Sequence, residues 1–73
     1  MPIRKVETEV AGTVWKIEAA PGQSLAAEDT ILILECMKME IPVAAPAAGR
    51  LVSIRVAEGE TVAEGQVVAE IET

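Results

Sequence analysis

Apolar and polar residues alternate along this chain with a period of two. Trp15, Ile17 and Ala19 are interleaved with Lys16 and Glu18, and Val52, Ile54 and Val56 with Ser53 and Arg55. A period of two sends successive side chains to opposite faces and predicts half-buried β-strands with their apolar members turned inward. The run Thr30-Ile31-Leu32-Ile33-Leu34 predicts a more deeply buried strand, and Val67-Val68-Ala69-Glu70-Ile71 a weaker version of it. Pro21-Gly22 and Glu58-Gly59 mark turns. No stretch combines a helical period with capping residues, so the predicted class is all-β.

The pattern occurs twice. A shift of 37 positions lays Val6 on Val43, Ala11-Gly12 on Ala48-Gly49, Ile17 on Ile54, Ala20 on Ala57, Gly22 on Gly59, Ala26 on Ala63 and Glu35 on Glu72. Val14 meets Leu51, Leu25 meets Val62, Ile31 meets Val68 and Leu34 meets Ile71. Glycines and apolar positions keep one register, which predicts two copies of one β unit related by a pseudo-twofold axis. Two short-stranded halves packed face to face would make a small sandwich or flattened barrel. The segment Pro42-Val43-Ala44-Ala45-Pro46-Ala47-Ala48 resembles a Pro/Ala linker in composition, but it stays in register with Lys5 to Ala11. It is therefore read as strand and turn inside the domain.

The copies differ where they join. After Glu35 the first runs on through Cys36-Met37-Lys38-Met39-Glu40-Ile41-Pro42, whereas after Glu72 the second reaches Thr73. Symmetry predicts that this link and the chain end occupy equivalent, opposed positions. The link must reverse the chain between two strands. Two-residue reversals favour Asn-Gly, Asp-Gly or Gly at positions of positive φ, yet here the turn is Met-Lys. A lysine in a turn is ordinarily a solvated charge, and methionine beside it a flexible filler. Departures from local turn chemistry concentrate at functional sites, so Lys38, with Met37 and Met39, is the candidate.

Composition narrows what such a site can do. The 73 residues form one domain, 1–73, near the lower limit for folding without disulfides or metals. Half the chain is hydrophobic, but with one Trp and no Phe or Tyr the core must be aliphatic. The absence of His removes histidine dyads, histidine acid–base catalysis and most transition-metal sites. A single Cys, Cys36, allows no internal disulfide and suits a reducing, cytoplasmic setting. It reads as a small buried hydrophobe before a reactive thiol. A net charge of −6 with scattered basic residues argues against a nucleic-acid surface or a basic membrane patch. No apolar run approaches a bilayer span. The opening Met1-Pro2-Ile3-Arg4-Lys5 leads into Glu7 and Glu9 rather than into a signal core. The glutamates at positions 7, 9, 58, 60, 64, 70 and 72 read as a solvated face, and no phosphate-binding loop is present.

Glu35-Cys36-Met37-Lys38-Met39-Glu40 resembles the Glu-Ala-Met-Lys-Met attachment motif of biotin carboxyl carrier proteins, with Cys in place of Ala. The resemblance covers nearly the whole chain. Ala11-Gly12-Thr13-Val14 is similar to the family's opening strand and Pro21-Gly22-Gln23-Ser24-Leu25 to its first turn. Ala45-Pro46-Ala47-Ala48-Gly49 resembles the segment after the hairpin, and Glu58-Gly59-Glu60-Thr61-Val62 and Glu64-Gly65-Gln66-Val67-Val68 the closing turns. Trp15 to Pro21 is too short for the extra loop of some acetyl-CoA carboxylase carriers.

The resemblance implies a flattened barrel of two four-stranded antiparallel sheets with Lys38 at an exposed hairpin tip. It implies covalent biotin on Lys38, installed by a biotin protein ligase, with Glu35, Cys36, Met37 and Met39 as the flanking motif. It also implies biotin carboxylase and carboxyltransferase partners, between which the arm carries CO2, and no catalysis by the chain itself. The alternatives are a lipoyl carrier of a 2-oxoacid dehydrogenase or glycine-cleavage system, and an unmodified structural or adaptor barrel. The methionine pair around Lys38 favours biotin over lipoate. Met1 favours a freestanding carrier over a piece of a longer chain.

Overall fold

The computed structural model describes residues 2–73; Met1, the first residue of the basic opening, lies outside them. Eight strands follow in order: β1 (Ile3–Glu7), β2 (Gly12–Ile17), β3 (Ser24–Leu25), β4 (Thr30–Cys36), β5 (Met39–Ala44), β6 (Gly49–Ile54), β7 (Thr61–Val62) and β8 (Val67–Glu72). They form two four-stranded antiparallel sheets with spatial orders β1-β8-β6-β3 and β5-β4-β2-β7. Exchanging each strand for its counterpart in the other copy turns the first order into the second. The sequence repeat is thus a symmetry of the fold.

The symmetry extends to single hydrogen bonds. Gly22 N–H donates to the Leu51 carbonyl and Gly59 N–H to the Val14 carbonyl, both at 2.7 Å. Both glycines have positive φ, +92° and +90°, as the predicted turns require. The Pro/Ala segment is strand and bend within the domain, as its register indicated.

Two expectations are corrected. The halves do not each build a sheet and then pack face to face. Each half gives its long central pair, β2-β4 or β6-β8, to one sheet and its two outer strands to the edges of the other. Pairing β1 with β8, and β7 with β2, covers central-strand edges that a self-contained half would leave open. The alternation is also broken, at Trp15 and Val52, where the register shifts between Val14 and Lys16 and between Leu51 and Ser53. A bulge sets two residues of one strand against one of its neighbour. Val14 and Leu51 therefore point into the core, at 1% and 0% exposure, while Trp15 and Val52 stand at 49% and 42%.

The core is aliphatic, as the composition required. Ile31, Leu32, Leu34, Leu51, Val68 and Ile71 are fully buried, drawn from the central strands of both sheets. The molecule measures 36 × 18 × 17 Å. At one pole the chain ends meet: Ile3 pairs with Glu72, and Thr73 N–H donates to the Pro2 carbonyl at 3.1 Å. From there β1 runs away to Glu7, and the chain reaches Gly12 beside Glu35, next to the β4–β5 turn. The link and the chain ends are thus equivalent and opposed, as the symmetry predicted.

Candidate functional site

The β4–β5 hairpin is anchored from inside. Leu32 pairs with Val43 and Leu34 with Ile41, with both leucines fully buried, so apolar burial fixes the register up to the last pair, Cys36 with Met39. Only Met37 and Lys38 remain to turn the chain, and both have positive φ, 52° and 66°. Positive φ at both central residues is the signature of the turn whose twist matches that of the flanking strands. Glycine and asparagine usually fill it. For other residues the left-handed conformation costs about 1–2 kcal/mol each, which here is offset by the buried register beneath. The tight reversal deduced from sequence is present, and its missing glycine appears as backbone strain under Lys38.

The strain has a geometric consequence. Both side chains project from the end of a ribbon with no neighbouring segment over them: Met37 is 90% exposed, and Lys38 is exposed. Met39 follows at 64%. The lysine amine is thus offered to an approaching enzyme on an apolar rim, at a height set by the sheet. Cys36, expected as a small buried hydrophobe, is half-buried and on the Met39 side of the hairpin. Glu35 and Glu40 oppose one another on the other face, both exposed.

Gly12 supports the site from beneath. A Cβ there would lie 2.7 Å from the Glu35 carbonyl oxygen and 3.5 Å from the Cys36 Cβ. Strand β2 can therefore press against the base of the hairpin only with glycine at this point. Sequence reasoning saw Gly12 as part of the repeat but not as part of the site; its twin Gly49, against the Glu72 carbonyl, was the available signal. A concavity of about 430 Å³ runs between edge strands β1 and β5, lined by Lys5, Glu7, Thr8, Pro42 and Ala45 among others. None of residues 35–39 borders it, so the site is a projecting point and not a pocket.

Several of the acidic residues, the exposed Glu58 and Glu60 among them, also bind within the fold. Glu58 accepts the Ile17 N–H at 3.0 Å, and Glu60 accepts the Ala57 N–H at 3.1 Å. Glu70 accepts the Ser53 hydroxyl at 2.9 Å and the Arg55 guanidinium at 2.9 Å. The Ser53 hydrogen bond, then the Arg55 hydrogen bond and charge, hold its carboxyl below the usual carboxylate value.

The family described as "Biotin-requiring enzyme" matches residues 3–71. The chain belongs to the biotin/lipoyl attachment family. It is 36% identical over 66 residues to the biotin/lipoyl attachment protein of Bacillus subtilis, covering 90% of each chain. It is 33% identical over 66 residues to a biotinylated-protein homolog of Mycobacterium leprae, covering 90% of this chain and 93% of that one. Among solved structures, the urea carboxylase of Kluyveromyces lactis superimposes with a TM-score of 0.94 at 33% identity, over 99% of this chain and 6% of that one. Domains of this family are carriers, and the flattened two-sheet barrel implied by the motif is the fold observed.

Proposed function

We propose that the chain is a biotin carrier in which a biotin protein ligase acylates the Lys38 amine. The observation that carries this reading is the Met-Lys-Met tip, held in a strained left-handed turn with Met37 90% exposed and nothing over the lysine. Backbone strain held in place by the packing around it clusters at functional positions. The similarity to a biotinylated-protein homolog and to part of a urea carboxylase supports biotin over lipoate as the group attached.

The fit is chemical as well as geometric. Amide formation needs a primary amine that can reach an activated carboxyl group inside another protein, and Lys38 is an exposed primary amine on a rigid ribbon. When attached, biotin supplies carboxyl-group transfer between a carboxylase and a carboxyltransferase site. The chain's own residues present the arm: β4 and β5 fix its root, Met37 and Met39 line its base, and Gly12 lets β2 brace the hairpin. Tethering at a fixed point raises the effective concentration of the group at each partner. The chain itself performs no catalysis in this reading, and the free Cys36 fits a reducing, cytoplasmic setting.

A lipoyl carrier is the second reading, favoured by the similarity to a protein named for both groups. Incubation with a biotin protein ligase or with a lipoate ligase separates them. Biotin should be accepted, Lys38→Arg should fold normally and accept none, and replacing both Met37 and Met39 by Ala should slow labelling without lowering the melting temperature. Labelling of the Arg variant would move the site elsewhere, and lipoate alone being accepted would favour the second reading.

A further inference from the structure

The internal symmetry supplies a comparison within one molecule, because every position on the outside of one sheet has a counterpart on the outside of the other. On the sheet that holds the chain ends, charges are paired across strands. Arg50 stands opposite Glu72, Lys5 opposite Glu70, and Arg55 and Ser53 bind Glu70 directly. Of these pairs Arg55–Glu70 is a direct ion pair at 2.9 Å, and the face also exposes Ile3 and Val52.

The hairpin sheet keeps an exposed Lys16–Glu18 ion pair at 3.9 Å beside β2 but, among the described residues, has no counterpart of the Glu70 network. The counterpart of Glu70 is Ile33, that of Lys5 is Pro42 and that of Val52 is Trp15. Pro42 stands opposite Ile33 on one side, and Lys16 stands opposite it on the other with the bulged Trp15 next in the chain. Trp15, the only aromatic residue in the chain, is 49% exposed there. Nearer the tip, Glu35 and Glu40 oppose each other directly, and neither forms an ion pair among the described residues. Like charges directly opposite destabilise a sheet. The face therefore carries Trp15, Ile33 and Pro42 beside the opposed Glu35 and Glu40 where its twin carries Val52 and Glu70 bound by Arg55 and Ser53.

We propose that this outer face, Trp15, Ile33 and Pro42 with the Glu35–Glu40 pair, is the surface on which the biotin protein ligase docks to reach Lys38. The proposal rests on the biotin-carrier reading and adds the partner surface to it. Its occupant would present an apolar depression for Trp15 flanked by cationic side chains for the two carboxylates. The order of events points to the ligase. Proteins that use the finished arm can recognise the attached group, whereas the ligase meets the domain before the arm exists and has only protein surface to read. Reach agrees: Ile33 lies five residues from Lys38, roughly 15 Å along the strand. A specific interface takes about 800 Å² from each partner, a patch about 30 Å across, so a ligase whose footprint spans the tip and this face meets both Lys38 and Trp15.

The test is steady-state biotinylation of the whole chain by a purified biotin protein ligase, with the symmetry-related position as control. Trp15→Ser should raise KM for the carrier about tenfold or more with kcat unchanged, as for an aromatic anchor at an interface; Val52→Ser should leave both constants alone. Glu40→Lys guards against a folding defect. It removes the repulsion with Glu35, so it should raise the melting temperature by a few degrees while raising KM, a combination that damage to the fold does not produce. If the wild-type chain is labelled but Trp15→Ser and Glu40→Lys retain its KM, the docking face is overturned and the carrier reading stands. If the wild-type chain accepts no biotin, both fall together.

Discussion

Among the described residues, three other than glycine have positive φ: Glu28, Met37 and Lys38. Two of them form the candidate attachment turn. The third has a built-in reference, because the second copy places Gly65, φ +82°, at the position of Glu28, φ +75°. The turn is the same and the glycine is missing, so Glu28→Gly should relieve left-handed strain and stabilise the domain by about 1 kcal/mol, read as a shift of the denaturation midpoint. A neutral or destabilising effect would mean that the conformation costs nothing here, and would weaken the same argument for Met37-Lys38. Glu70 gives a prediction in pH. Its carboxyl titrates below the ordinary 4.5 in the folded chain because Ser53 and Arg55 bind the charged form. The stabilisation is therefore complete above that ordinary value and is lost as pH falls through the lowered one. Glu70→Gln should lower the melting temperature near neutrality and flatten its decline in acid. Parallel acid profiles for the two proteins would contradict this.

At the scale of elements, the site depends on how closely β2 approaches the base of the hairpin. Gly12→Ala would drive a methyl into the Glu35 carbonyl, and neither backbone can yield without moving β4. The variant should lose about 1–3 kcal/mol of stability and be labelled more slowly at temperatures where it remains folded. Unchanged labelling together with unchanged stability would remove Gly12 from the site. The legibility of the elements also divides here. The Met-Lys turn could be read from sequence because turn chemistry is local: two residues between two apolar runs, with no glycine, identify an unusual reversal. The bulges at Trp15 and Val52 could not, because a bulge is a relation between two strands. Trp15 and Lys16 read as strict alternation until Val14 is found opposite Leu34 and Lys16 opposite Ile33, with Trp15 left over between them. The exchange of outer strands was hidden for a similar reason. A repeat says that two units are alike and leaves open which unit each strand pairs with.

At the scale of the molecule, the fold is a two-ended body. The chain ends close one pole and the lysine hairpin forms the other, along an axis of 36 Å. Any attachment through the ends leaves the lysine pole free to reach partners. The two copies have also diverged in surface while keeping one backbone: one outer face binds Glu70 through Arg55 and Ser53, and the other exposes a tryptophan and opposed carboxylates beside the tip. The aliphatic core, the symmetry and the position of Lys38 were all legible in the sequence, because each follows from residues that recur, or fail to recur, at a spacing of 37. The faces were not, since exposure on a sheet depends on register. The most direct test of the central claim is the intact mass, with peptide mapping, of the chain purified from its native host. One biotinyl increment located on Lys38 is the expected result. A chain carrying lipoate there, or with Lys38 unmodified while biotin is abundant, would contradict it.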